Sequence, residues 1–338
     1  MKRGLTLGKF APLHRGHQLV IETGLAETDE LVVIIYDAPE TTPVPLSVRS
    51  RWIRSLYPAA HVIEGWDGPT EVGYTPELMR AHERYVIDVL RVDGVTHFYS
   101  SEPYGEHMSA ALGAIDRRVD EARERVPVSA REVRRDPFAF RQYVHPLVYR
   151  DLVANVVFLG APSTGKSTLA ERLAKEFDTQ WMPEYGREYW EENQVGRRLS
   201  PEQLVEIAEG HIEREDSLLE NSNRYLFTDT NAITTATFAR YYHSAVHPRL
   251  ADLADRAVTR YDLVFVCDTD VPYDDTWDRS GKVNRGAFQR QVITDLNTRK
   301  VPFFMLRGTL EERVEQVRNV LRRFTKYMNV LELFEAAT

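Results

Sequence analysis

Short apolar runs alternate with amphipathic stretches along the chain, and the alternation starts twice. Residues 31–36, Leu-Val-Val-Ile-Ile-Tyr, are apolar throughout and read as a buried strand, as do residues 96–100. Between them Leu78, Met79, His82, Tyr85, Val86 and Val89 recur at helical spacing and predict a helix over 76–90. After Pro146 the pattern restarts. Residues 155–159 read as a strand, followed by a glycine-rich turn and a helix over about 166–177. Further strands are predicted over 224–228, 262–267 and 301–306, with Pro302 suited to a strand start. A last helix, 310–324, carries Val314, Val317, Val320 and Leu321 on one side. Strands separated by helices predict an α/β chain of two domains, each a parallel sheet flanked by helices. The boundary falls near residues 147–153, giving domains 1–148 and 149–338.

The length of 338 residues agrees with two domains. No apolar run is long enough to span a bilayer, and residues 1–7 are too short and too soon polar for a signal peptide. Cys267 is the only cysteine and sits in an apolar run, which predicts a buried thiol. These features predict a cytoplasmic protein with no membrane partner. The net charge of −8 argues against broad binding to a nucleic-acid backbone, so no nucleic-acid partner is expected. From Arg117 to Arg135 arginines alternate with acids, the pattern of a solvated helix face. The oligomeric state is not readable, and a homo-oligomer is compatible with everything here.

Gly160, Ala161, Pro162, Ser163, Thr164, Gly165, Lys166 and Ser167 fit G-x-x-x-x-G-K-[ST] at every fixed position, between a strand and a helix. Successive backbone N–H groups and the helix N-terminus form a cradle for phosphate oxygens. Lys166 is placed to reach the β and γ phosphates of ATP, and the Ser167 hydroxyl to bind Mg²⁺, with Thr168 able to share the contact. Such a loop serves kinases, ATPases and GTPases alike; the chain carries no Asn-Lys-x-Asp guanine-reading motif.

Asp229 ends a strand beside this loop, where a second Mg²⁺ support belongs; Asp229-Thr230-Asn231 is equally good helix-capping chemistry. Glu184 can take the proton of an acceptor hydroxyl and Arg187 can bind a phosphate or ribose, or Glu184 can simply favour a solvated helix start. Residues 274–285 read as a mobile lid in which Arg279 or Arg285 could neutralise a transferring phosphoryl group, or as an ordinary surface loop.

In the first half, Gly8-Lys9-Phe10-Ala11-Pro12-Leu13-His14-Arg15-Gly16-His17 joins a strand to a helix expected to begin near His17. Imidazoles at a helix mouth, with Lys9 as a further donor, can stabilise charge on an α-phosphate under attack. A histidine pair can also hold zinc, but no Cys or carboxylate partner is at hand; capping and packing are the structural alternative.

This stretch resembles the (T/H)xGH nucleotidyltransferase superfamily. With the phosphate loop downstream, nearly the whole chain resembles the bifunctional NadR type, which joins a nicotinamide mononucleotide adenylyltransferase to a ribosylnicotinamide kinase. Further matching stretches are 48–53, 100–105, 128–134, 183–188 and 227–230. The resemblance implies a Rossmann-like first domain and a P-loop kinase second domain. It implies that nicotinamide riboside, ATP and the mononucleotide are substrates, NAD a product, and Mg²⁺ the cofactor. Gly8, Phe10 and Gly16 then belong to the first nucleotide site with Lys9, His14 and His17. Residues 128–134 resemble the superfamily's second signature, which assigns Arg134 and Ser129 to ATP phosphates, although its usual threonine is Arg131 or Ala130 here. Trp52 is a candidate to stack on the nicotinamide ring or to pack beneath it. Some relatives carry an N-terminal helix-turn-helix and repress transcription. This chain reaches its first motif at residue 8, so direct transcriptional control is not expected. Activity of only one domain, a cytidylyltransferase-like specificity, and a ligand-sensing regulator without turnover are the competing readings.

Overall fold

The first sheet consists of β1 (Arg3–Gly8), β2 (Glu30–Tyr36), β3 (His61–Gly65), β4 (His97–Ser100) and β5 (Ile115–Arg118), in the order β3-β2-β1-β4-β5 with every pairing parallel. These come from a computed structural model that describes residues 1–71, 73–195, 199–272 and 284–327. The chain divides into two units, one built on Met1–Tyr149 and the other on Arg150–Lys326. Leu31 to Ile35 are wholly buried, as a central strand covered on both faces requires. Strand order reverses beside β1, and the crevice beyond its C-terminal end is where such sheets hold ligands. The helix Arg15–Glu27 starts there.

Two sequence expectations are corrected in this unit. The helix over 76–90 is α-helical only over Pro76–Arg84, then widens to a π turn at Tyr85–Val89. The widening sinks Tyr85 and Val86 into the core, whereas Pro76–Arg84 has no buried residue. The charged stretch 117–135 is not one helix. It begins as edge strand β5, where Arg117 pairs with Glu27 and Arg118 with Asp116, and charges on an edge discourage further pairing. Asp120 then accepts from the backbone N–H groups of Arg125 and Val126, closing a turn, and only Ala130–Arg135 is helical.

The second sheet consists of β6 (Ala154–Leu159), β7 (Trp181–Met182), β8 (Tyr225–Asp229), β9 (Leu263–Cys267) and β10 (Phe304–Leu306), parallel in the order β10-β9-β6-β8-β7. Alternation along β6 divides its core. Val156 and Phe158 pack with Phe227 and Phe265 on one face, and Val157 and Leu159 with Val264 and Val266 on the other. The expected strand 301–306 begins only at Phe304, because Lys300 is left-handed (φ 57°) and Val301 N–H still bonds to Leu296 O at the end of the preceding helix. A polar group is built into the interior. Glu215 is fully buried and accepts from Asn155, Thr228 and Tyr261 while pairing with Arg260.

Candidate functional site

In the second unit the phosphate loop leaves β6 and enters the helix Lys166–Glu176. Its backbone needs three left-handed or glycine-type positions: Gly160 (φ 135°), Ser163 (φ 59°) and Gly165 (φ 80°). At Gly160 a Cβ would lie 2.6 Å from Cys267 O, so only glycine fits. The loop is held from outside. Gln289 accepts from Ala161 N at 2.8 Å and donates to Cys267 O at 3.0 Å. Buried Arg313 donates to Thr164 O at 2.6 Å, Asp268 O at 3.2 Å and Gly308 O at 3.0 Å, and pairs with Asp270. Arg285 donates to Ser163 O at 2.9 Å. Thr164 and Lys166 both donate to Ala161 O, at 2.8 and 3.2 Å; Pro162 is half-buried and Thr168 is exposed on the first turn.

The Ser167 hydroxyl donates to one carboxylate oxygen of Asp229 at the end of β8, and the other oxygen is buried without a partner. Burial pushes the Asp229 pKa up to about 6, against the pull of the Lys166 charge. A hydroxyl and an unsatisfied carboxylate oxygen suit a hard divalent cation such as Mg²⁺. Among the described residues no group of three His, Cys, Asp or Glu could hold a metal, so the remaining ligands would be phosphate oxygens and water. Glu184 stands at the N-cap position of the helix Tyr185–Asn193 without a side-chain capping bond, and its carboxylate is 3.5 Å from Arg187, which is exposed. Arg279 and most of the expected lid lie outside the described residues; Arg285 is inside them and touches the loop.

In the first unit the turn after β1 runs from half-buried Gly8 and Lys9 through buried Phe10 (φ 45°) and a cis Ala11–Pro12 bond to His14. The helix begins at Arg15, two residues before the sequence suggests, because the His14 side chain caps it. His14 Nδ1 accepts from Gly16 N at 3.1 Å, and His17 Nδ1 from His14 N at 3.4 Å. The two rings stack with centroids 3.8 Å apart, and Phe10 meets His17 edge-on. Both Nδ1 atoms being acceptors, each ring carries its proton on Nε2. Burial, with Arg123 and Arg134 nearby, lowers the His14 pKa to about 4; burial and the His14 charge hold His17 well below its ordinary value. The pair is therefore neutral; His14 offers an Nε2–H donor, and His17 is also bonded to the Pro12 backbone.

Arg134 donates to Ala11 O, which seats it against this turn. Ser129 is committed to a capping box: its hydroxyl accepts from Glu132 N at 3.3 Å and donates to the Glu132 carboxylate at 2.7 Å. Lys9 forms an ion pair with Glu40 and a 3.1 Å bond to Thr41. Trp52 is 0% exposed, packed within the core. Sequence reasoning passed over Glu40, and Arg49 had no role. Arg49 is wholly buried and donates to Lys9 O, Tyr36 O and Val44 O, tying the turn to β2.

Two parallel sheets, each with an anion-type helix mouth after its first strand, define a two-domain α/β protein with a P-loop nucleotide site. The AAA domain family matches residues 155–313. The trifunctional NAD biosynthesis/regulator protein NadR of Escherichia coli (strain K12) is 26% identical over 337 residues, covering 89% of this chain and 77% of that protein. Two solved NadR structures, one in complex with NAD and AMP-PNP and one with NR, share the fold, each with a TM-score of 0.58 and 21% identity, over 95% and 96% of each chain respectively. Over most of its length the chain is thus similar to NadR-type proteins.

Proposed function

We propose that the chain performs two steps of NAD formation. The second domain, 149–338, phosphorylates nicotinamide riboside with ATP and Mg²⁺; the first, 1–148, joins the resulting mononucleotide to ATP, releasing NAD and pyrophosphate. The observation that carries this reading is the pairing of one mouth bearing Lys166, Ser167 and Asp229 with another bearing His14, His17 and Arg134. Similarity to a NAD biosynthesis/regulator protein and to a NadR structure holding NR supports the choice of substrates.

Lys166 holds the β and γ phosphates, Ser167 and Asp229 hold Mg²⁺, and Glu184 orients or deprotonates the acceptor hydroxyl, with Arg187 at the acceptor side. Mg²⁺ neutralises charge on the phosphates when bound. In the first site the mononucleotide phosphate attacks the α-phosphorus; alignment and charge stabilisation by His14, His17, Lys9 and Arg134 are what that step needs. For Lys9 to reach a phosphate its pair with Glu40 must open or be shared.

Incubation with nicotinamide riboside, ATP and Mg²⁺ should give the mononucleotide and then NAD by mass analysis. Omission of Mg²⁺ should abolish the first product. Absence of both products with Mg²⁺ present would refute the reading, and CTP outperforming ATP would refute the adenylyl assignment.

A further inference from the structure

We propose that Thr230, Asn231 and Thr234 form an uncharged hydrogen-bonding shelf that holds the sugar hydroxyls of the kinase acceptor, a ribonucleoside. The proposal rests on the acceptor reading above. Thr230 Oγ1, Asn231 Nδ2 and Thr234 Oγ1 are each buried without a hydrogen-bond partner. Their residues are only 7%, 2% and 3% exposed and directly follow Asp229. Buried polar groups are nearly always partnered, and each orphan costs about 1–3 kcal/mol. Three such atoms within five residues, close in sequence to the unsatisfied Asp229 oxygen, mark a buried polar cluster that the ligand-free fold leaves unpaired.

Their state is not a general habit of this helix (Ala232–His243). Thr235 and Thr237 donate to Asn231 O and Ile233 O, at 3.4 and 3.0 Å, one turn back. Thr234 does not. Asn231 uses its oxygen to cap the helix, accepting from Ile233 N at 3.0 Å and Thr234 N at 3.4 Å. That anchors the side chain and leaves both amide hydrogens to donate elsewhere. Thr230 sits at φ 69°, a left-handed conformation that a β-branched residue adopts only when its surroundings impose it.

The chemistry selects the ligand. Two hydroxyls and an amide offer donors and acceptors but no cation, so the shelf does not suit a phosphate. A vicinal diol, which both donates and accepts, does suit it.

The test uses the full chain, with nicotinamide riboside and its 2′-deoxy and 3′-deoxy analogues as acceptors at saturating ATP and Mg²⁺. Thr234→Val should raise KM for the riboside about tenfold, the value of one hydrogen bond. It should narrow the preference over the deoxy analogues and leave KM for ATP unchanged. It should also raise the melting temperature of the ligand-free protein by removing an unsatisfied hydroxyl. Asn231→Asp, which keeps the capping oxygen, should likewise raise the riboside KM. Thr237→Val should do the opposite of Thr234→Val, lowering the melting temperature and leaving every KM alone. A wild-type riboside KM in both Thr234→Val and Asn231→Asp, undiminished deoxy discrimination, or a lower melting temperature for Thr234→Val would overturn the shelf alone. A wild-type protein that phosphorylates no riboside would overturn the acceptor reading, and the shelf with it.

Discussion

Asp229 concentrates the chemistry of the second site in one carboxylate. Burial raises its pKa to about 6 in the folded, metal-free state, above the ordinary value of 3.8. The native state therefore holds a proton that the unfolded chain has released, and stability from this group is lost as pH rises through about 6. Cation binding needs the ionised form, so phosphorylation at subsaturating Mg²⁺ should fall as pH drops below about 6. Asp229→Asn should raise the ligand-free melting temperature at pH 8 but hardly below the unfolded value of 3.8, while cutting phosphorylation at least 100-fold; an equal effect at both ends of that range would contradict the assignment. His14 has the opposite sign. Its pKa is lowered to about 4 from 6.5, so the stability it protects is present above pH 6.5 and lost as pH falls through 4. His14→Asn keeps a capping acceptor and should flatten that acid loss in thermal melts. The residues of both mouths were legible because each motif is contiguous and flanked by a strand and a helix. Glu40 was not: a carboxylate that meets Lys9 across 31 positions leaves no spacing signal. The burial of Trp52 is the commoner fate of a tryptophan, and a single ring carries no spacing signal for a ligand.

At the scale of elements, the phosphate loop is kept open by side chains from distant helices. Arg313 spans from the helix Leu310–Leu321 to the loop and to the ends of β9 and β10. Arg313→Met would leave three carbonyls and Asp270 without their cation, at a cost of about 3 kcal/mol. That should lower the melting temperature by roughly 6–12 °C and raise KM for ATP; an unchanged KM would show that the loop keeps its shape unaided. Gly160→Ala should fail in the same two measurements for a local reason, the clash with Cys267 O. The apolar strands were legible because β2, β6 and β9 are covered on both faces. β5 was not, since an exposed edge strand of one acid and two arginines after Ile115 has the composition of a helix surface. The π turn at Tyr85–Val89 hid for a related reason: one inserted residue keeps the apolar period while shifting the face.

At the scale of the molecule, the two-sheet plan was readable from the restart of the pattern after Pro146, and the chemistry assigned to each half is what remains to be measured. If each helix mouth grips its own triphosphate, the two steps separate cleanly by mutation. The direct measurement follows both products in one incubation with nicotinamide riboside, ATP and Mg²⁺. Lys166→Ala should prevent the mononucleotide from appearing yet still convert added mononucleotide to NAD, whereas His17→Ala should accumulate the mononucleotide without NAD. If either variant makes both products at the wild-type rate, the two-site account is wrong.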